Sequence, residues 1–186
     1  MRIIAGRYRG KRLVAPDGAA IRPTGARARE ALFNILAHGK FLPRPVYEDA
    51  IVLDAFAGTG ALGLEALSRG ARYATFMEKD RQARAALTSN IEAMGVKSGA
   101  AVMAADALKP PRSAAPASLA FLDPPYGEDL AGPALTSLAL AGWFAPGALA
   151  VAEIPAKRGF IVPDGFDLLD ERRYGAAKIL FLRYAR

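Results

Sequence analysis

The sequence contains no cysteine and a single histidine, His38. Without thiols there is no disulfide, no thiolate nucleophile and no cysteine-held zinc, and one imidazole cannot furnish a site that needs two. Base methylation through a covalent cysteine adduct is excluded, and no metal is expected. Long apolar runs are also missing, since nothing approaches the ~18 residues that a membrane helix needs. Met1 is followed at once by Arg2 and a short apolar patch, not by the core of a signal peptide. These absences predict a soluble, cytoplasmic, monomeric protein with no membrane partner. Acid is scarce at the start of the chain. From Met1 to Arg29 there are eight cations, Arg2, Arg7, Arg9, Lys11, Arg12, Arg22, Arg27 and Arg29, opposed by Asp17 alone. Within a formal net charge of +7, that asymmetry points to a phosphate backbone as partner, the blander reading being a solvated basic face.

A chain of 186 residues has room for one α/β domain with a substantial core and one small appendage. Its most informative stretch runs from Val52 to Leu67, VLDAFAGTGALGLEAL, and reads as strand, glycine-rich turn, helix. Ile51, Val52 and Leu53 suit a strand buried on both faces, and Leu62, Leu64, Ala66 and Leu67 recur at helical spacing. Between them, Gly58 and Gly60 let the backbone turn sharply and approach a ligand, and the amides opening the helix carry partial positive charge. Gly58, Gly60 and Gly63 also satisfy the dinucleotide pattern G-x-G-x-x-G. Asp54 separates the two ligands that fit such a turn. A carboxylate at the strand end repels a pyrophosphate but holds an ammonium, directly or through water, which favours S-adenosylmethionine over a nicotinamide cofactor.

Acids close the next two strands as well. Tyr73 to Met77 ends at Glu78, about twenty residues beyond the glycines, where a carboxylate can accept from both ribose hydroxyls. Ala100 to Ala104 is closed by Asp106, placed to accept from an adenine amino group. The blander reading of Glu78 is an exposed helix-capping acid before Asp80 and the helix Arg81 to Met94. Then LAFLDPPY, Leu119 to Tyr126, offers a buried-type strand ending in an acid, two prolines and an aromatic. An exocyclic amine has its lone pair conjugated into the base. Its attack on a methyl sulfonium needs acceptors that orient the amine and stabilise developing positive charge. Asp123 supplies a carboxylate, Pro124 a carbonyl held rigid by Pro125, and Tyr126 a ring to stack on a base withdrawn from its helix.

The N-terminal segment reads as a small hairpin, Arg2 to Ala5 and Lys11 to Ala15, with Arg7 and Arg9 near its tip. Tyr8 between them suits either stacking on a base or packing on its own hairpin. Thr24 is a candidate N-cap for a helix whose face carries Ala28, Ala31, Leu32, Ile35 and Leu36, and which Gly39 closes. Arg27 and Arg29 in its first turn oppose the helix dipole, a sign of function, whereas His38 in the last turn fits a C-terminal partner. Pro43 and Pro45 mark a linker. The boundaries are therefore 1–48 for a basic extension and 49–186 for the main domain. After Asp49 the pattern gives seven strands alternating with helices and ending in a hairpin from Phe166 to Arg172 and Ala177 to Tyr184. The expectation is a Rossmann-like, mostly parallel α/β sheet with helices on both faces and one reversed edge strand.

MRIIAGRYRGKRL, RPTGARAREALFNIL, DAFAGTGALGLEALSRGA and DPPY together resemble the class I S-adenosylmethionine methyltransferases, and among them the bacterial 16S ribosomal RNA guanine-N2 methyltransferases. The resemblance implies that Asp54, Gly58, Gly60, Glu78 and Asp106 bind the cofactor and that Asp123, Pro124, Pro125 and Tyr126 hold the guanine. It also implies 16S rRNA within the small ribosomal subunit as substrate, with the N-terminal cations as its contacts. The alanine-rich stretch Lys109 to Ala117 departs from the family pattern. The rival readings are a DNA adenine-N6 methyltransferase, for whose recognition region there is little room, and a catalytically silent RNA-binding protein of the same fold. A nicotinamide enzyme is third, weakened by Asp54.

Overall fold

The computed structural model describes residues 1–15, 25–39, 46–125 and 128–186. Arg22, Thr24, Pro43, Pro45 and Tyr126 lie outside the described residues. The elements in chain order are α1 (Gly25–His38), β1 (Ile51–Ala55), α2 (Ala61–Ser68), β2 (Tyr73–Met77), α3 (Arg81–Met94), β3 (Ala100–Met103), β4 (Ala117–Leu122), α4 (Ala131–Leu140), β5 (Phe144–Pro155), β6 (Phe166–Tyr174) and β7 (Ala177–Tyr184). Among the described residues no helix is long and apolar enough to cross a membrane.

Seven strands form one sheet in the order β3-β2-β1-β4-β5-β7-β6. The first five are joined in parallel, and β7 runs antiparallel to both β5 and β6. The reversed strand is thus internal, and the expected reversed edge is corrected. The residues explain why. In β7 the run Ala177, Ile179, Leu180, Phe181 and Leu182 is buried on both faces, which demands a covered position, whereas β6 carries Asp167, Asp170, Glu171, Arg172 and Arg173 and tolerates the rim.

Alternation along the strands divides the core in two. Val52, Phe76, Leu119, Phe121, Val151 and Phe181 pack with α1, α2 and α3 on one face. Leu53, Ala55, Met77, Leu122, Ala152 and Leu180 pack with α4 on the other. Asp54 falls in the phase of Val52 and so turns toward α2. The chain moves outward from β1 to β2 and β3, then returns to β4 on the other side of β1. That reversal opens a crevice at the carboxyl ends of β1 and β4, the place where open α/β sheets take ligands.

The N-terminal segment joins the first of these cores. Ile3 and Leu13 are buried with Leu32, Phe33 and Leu36 of α1. The Phe33 and Phe121 rings lie 5.7 Å apart. One isolated antiparallel bridge, Arg2 to Arg12, is what the hairpin amounts to. Backbone bonds such as Ile3 N to Lys11 O and Leu13 N to Met1 O close it on itself, and others fasten it to α2 and α3. Ile4 and Ala5 donate to the Glu65 carboxylate at 2.7 and 3.0 Å. Arg7 N donates to Ser68 O at 2.7 Å, and Tyr8 N to Ser68 Oγ at 3.0 Å. Gly6, at φ 80°, sits so close to α2 that an added Cβ would lie 1.9 Å from Ser68 O. Tyr8 packs against the core, with the Arg7 guanidinium 5.5 Å from its ring centre.

Candidate active site

The register aligns the strand ends. Ala55 pairs with both Met77 and Leu122, and Met77 pairs with Met103, so Phe56, Glu78, Asp123 and the segment leading to Asp106 emerge at one edge. The turn after β1 is built from positive φ values: 62° at Phe56, 54° at Gly58 and 78° at Gly60. A bulky residue adopts that region at a cost on the order of 1 kcal/mol or more, so Phe56 is held by what surrounds it. At Gly60, whose φ already disfavours a side chain, an added Cβ would lie 2.3 Å from Leu87 Cδ1 and force that side chain to shift, while at Gly58 it would meet nothing within 4 Å. The turn therefore presses on α3 at Gly60 and is open at Gly58.

Two carboxylates hold this turn. Asp54 is 2 % exposed, and its Oδ2 accepts from Gly63 N in the first turn of α2 at 2.8 Å. Glu78 accepts from Gly58 N through Oε2 and from Asp80 N through Oε1, each at 2.8 Å. Burial pushes the Asp54 carboxyl up to about 8; the Gly63 amide opposes this, and the neighbouring charges of Asp123 and Glu78 push it further up. Desolvation disfavours the anion, and two more acids nearby disfavour it again. The site is one that a cation would relieve.

Phe56, Met77, Glu78, Lys79, Ala105, Asp106, Asp123 and Pro125 line a cavity of about 230 Å³. Asp106 accepts from Leu108 N at 3.0 Å and lies 3.4 Å from the exposed Lys79 ammonium. Asp123, Pro124 and Pro125 also border a narrower cleft with Glu128 and Glu153. Pro124 is buried and Pro125 exposed. Glu78, Asp106, Asp123 and Pro125 are thus brought together around one space. Asp54 is not in its wall; it faces α2 and acts on the cavity through the turn and through its charge.

Of the N-terminal cations, Arg2, Arg7, Arg9, Lys11, Arg12 and Arg27 are exposed. Lys11 Nζ donates to Ala93 O at 3.0 Å, at the end of α3. Arg29 is different, and its assignment to the RNA surface is corrected. It is 6 % exposed, donates to Arg2 O at 2.5 Å and has Nε 4.0 Å from Glu65. Burial lowers its guanidinium pKa, and Glu65 opposes that shift. Its place against the α1 dipole is explained by this buried acid.

The family model described as "Conserved hypothetical protein 95" matches residues 1–183. A protein of Escherichia coli K12 named "Ribosomal RNA small subunit methyltransferase D" is 39 % identical over 189 residues, covering 100 % of this chain and 90 % of that one. The chain belongs to the ribosomal RNA small subunit methyltransferase D family. A relative of the same name from Haemophilus influenzae is 36 % identical over 94 % of this chain and 89 % of its own. A solved structure of a putative methyltransferase from Escherichia coli superposes with a TM-score of 0.84 at 37 % identity, covering 100 % of this chain and 98 % of that one.

Within this family member, three side chains that shape the site have no role in the sequence reading, although Phe56 and Glu65 lie inside the DAFAGTGALGLEALSRGA stretch. Glu65 and Asn90 are 0 % and 1 % exposed, and Phe56 carries the strained turn. Each sits in an otherwise ordinary context, Glu65 between leucines and alanines of a packed helix. The available signal for Glu65 is an acid interrupting a continuous apolar run, in a chain whose first segment is rich in arginine.

Proposed function

We propose that this protein transfers a methyl group from S-adenosylmethionine to the exocyclic 2-amino group of a guanine in 16S rRNA, within the small ribosomal subunit. The observation that carries this reading is the convergence of Glu78, Asp106, Asp123 and Pro125 on one cavity at the reversal point of the sheet, in a chain of this family.

The residues fit that cofactor. Gly58 leaves the backbone open to a ligand, Glu78 keeps acceptor capacity for ribose hydroxyls beyond its bonds to Gly58 and Asp80, and Asp106 offers an acceptor to an adenine amine. The acid pair Asp54 and Asp123 answers a positively charged ligand. When bound, the cofactor supplies a methyl group on a sulfonium. Asp123 accepts one N–H of the guanine amine and the Pro124 carbonyl the other, which points the nitrogen lone pair at the methyl. As the N–CH3 bond would form and the S–CH3 bond break, leaving a neutral thioether, the amine would gain positive charge, which the Asp123 carboxylate would stabilise, and one amine proton would pass to solvent with or after transfer. The neutral amine is too weakly basic to need prior activation. Tyr126 stacks on the base. Residues 1–48 serve as the RNA-facing extension of the catalytic part, 49–186, through the phosphates that Arg2, Arg7, Arg9, Lys11, Arg12, Arg22 and Arg27 meet.

Radiolabelled methyl transfer to undermethylated small subunits, to free 16S rRNA and to DNA, followed by nucleoside identification, tests the reading. N2-methylguanosine from small subunits is the expected product. Methyl transfer to adenine in DNA, or none to any acceptor, overturns it.

A further inference from the structure

Asn90 lies in α3, on neither the catalytic edge nor the cationic surface, yet its amide joins the two. It is 1 % exposed. Its Oδ1 accepts from Val14 N at 2.7 Å, and its Nδ2 donates to Val14 O and to Thr59 O, each at 3.0 Å. Bonding both the N–H and the C=O of Val14 fixes the end of the N-terminal arm as a neighbouring strand would. The remaining bond holds the carbonyl between Gly58 and Gly60, the part of the turn that a cofactor approaches. Thr59 stands 31 residues from Asn90 in sequence and Val14 stands 76, so nothing local imposes this meeting.

Asn90 is buried beneath the arm although Val14 itself is exposed, so release of Val14 opens the amide to water, whereas loss of the Thr59 O bond with the arm in place leaves Nδ2 short of a partner, which is costly. Glycine backbone gives the turn freedom, and a ligand resting on it removes that freedom. With the turn held, Thr59 O fixes the amide of Asn90, which then presents Oδ1 and Nδ2 to Val14. The other fastenings of the arm, Ile4 and Ala5 on Glu65, Arg7 and Tyr8 on Ser68, and Lys11 on Ala93 O, do not pass through Thr59.

Resting on the reading of the cradle as the cofactor site and of the arm as the RNA contact, we propose that Asn90 is a positioning residue that couples the two: cofactor binding at the turn and docking of the arm favour each other. By linkage, RNA engaged on the arm raises cofactor affinity by the same factor.

Amide hydrogen exchange measured by NMR on the intact protein, with and without saturating S-adenosylhomocysteine, reads this coupling at Val14. Calorimetry on the same samples reports whether the ligand binds. In the unmodified protein the Val14 amide should exchange about tenfold more slowly with ligand, in the range of typical coupling, with a smaller change at Ile4 and Ala5. Asn90→Asp keeps an acceptor for Val14 N but removes the donor both to Thr59 O and to Val14 O, so Val14 N should stay bonded while its response to the ligand vanishes. Binding that leaves Val14 unchanged in the unmodified protein overturns the coupling alone, as does an undiminished response in Asn90→Asp. Failure of the unmodified protein to bind S-adenosylhomocysteine overturns the cofactor reading and this inference with it.

Discussion

Glu65 and Asp54 are both buried carboxylates bonded to backbone amides, one within α2 and one facing its first turn, and their surroundings are opposites. Glu65 receives Ile4 N, Ala5 N and the Arg69 guanidinium at 2.7, 3.0 and 2.8 Å, with Arg29 at 4.0 Å. Asp54 receives one amide of α2, and the charges bearing on it are two further acids, Asp123 and Glu78. The first arrangement finds its opposite charges within the fold, although Arg29 Nε makes no hydrogen bond. The second is built against the preferences of a folded protein, which marks it as a place where the compensating charge arrives with a ligand. The contrast separates an acid that holds the chain together from acids that the proposed function assigns to ligand and substrate.

The sharpest way to break this contrast is to remove the acid of the closed network. Glu65→Ala leaves two arginines without their buried partner and frees the amides of Ile4 and Ala5, so stability should fall by about 3–5 kcal/mol, and the arm should lose its seat on α2. Arg69 would keep only its stacking, 4.8 Å over the Phe33 ring. Chemical denaturation measures this. A loss below about 1 kcal/mol would mean that the network is no more than a surface pair and that the contrast with Asp54 is false.

On the catalytic side the corresponding change should spare stability and strike rate. Asp123→Ala removes an acceptor and a charge, and single-turnover methyl transfer should fall about 10²–10³-fold. Asp123→Asn keeps a carbonyl acceptor and should retain measurable turnover, with cofactor affinity preserved in both. Equal inactivity of the two variants, with substrate still bound, would assign the charge of Asp123, not its acceptor geometry, the larger role.

Reversing the arm cations asks whether the region fastened by Glu65 meets RNA. Arg7→Glu, Arg9→Glu and Lys11→Glu together should weaken binding of small-subunit RNA and flatten the dependence of log affinity on log salt by about one unit for each phosphate no longer neutralised. Lys11 also fastens the arm to Ala93 O, so an Arg7 and Arg9 pair serves as the cleaner variant. An unchanged slope would return the arm to a solvated basic face.

The same contrast explains what the sequence discloses. The turn and its acids are readable because each rests on local rules: strand alternation, glycine at a sharp turn, an acid at a strand end. The network around Glu65 is not, because its partners lie 60 and 61 residues away and helical periodicity counts only apolar positions. For the same reason Arg29 reads as a phosphate contact in the sequence; a charge in an exposed-looking pattern carries no mark of the acid that buries it. A direct role for Asp54 as ammonium partner follows from its position at a strand end, yet its phase with Val52 already aims it at α2. The internal place of β7 is legible in its unbroken run AKILFLRY, read beside the charged β6.

Asp54 itself gives the most specific effect, one of pH. Its folded-state carboxyl stands at about 8 against an ordinary 3.8, so between those values the folded protein carries a proton that the unfolded chain has released. The unfolded state then binds fewer protons than the folded one, and stability must fall as pH rises, by at most about 1.4 kcal/mol per unit, levelling off above pH 8. Asp54→Asn keeps an oxygen to accept from Gly63 N and cannot ionise, so it should lack this slope. His38, the single histidine, is common to both proteins, and the difference between their stability curves isolates Asp54. Saturating S-adenosylhomocysteine, which brings an ammonium, should flatten the slope of the unmodified protein by favouring the ionised carboxylate. Parallel curves for the unmodified protein and the Asp54→Asn variant without ligand would show that the carboxylate is already stabilised as an anion, and the distinction between a completed acid and one awaiting a cation would fail.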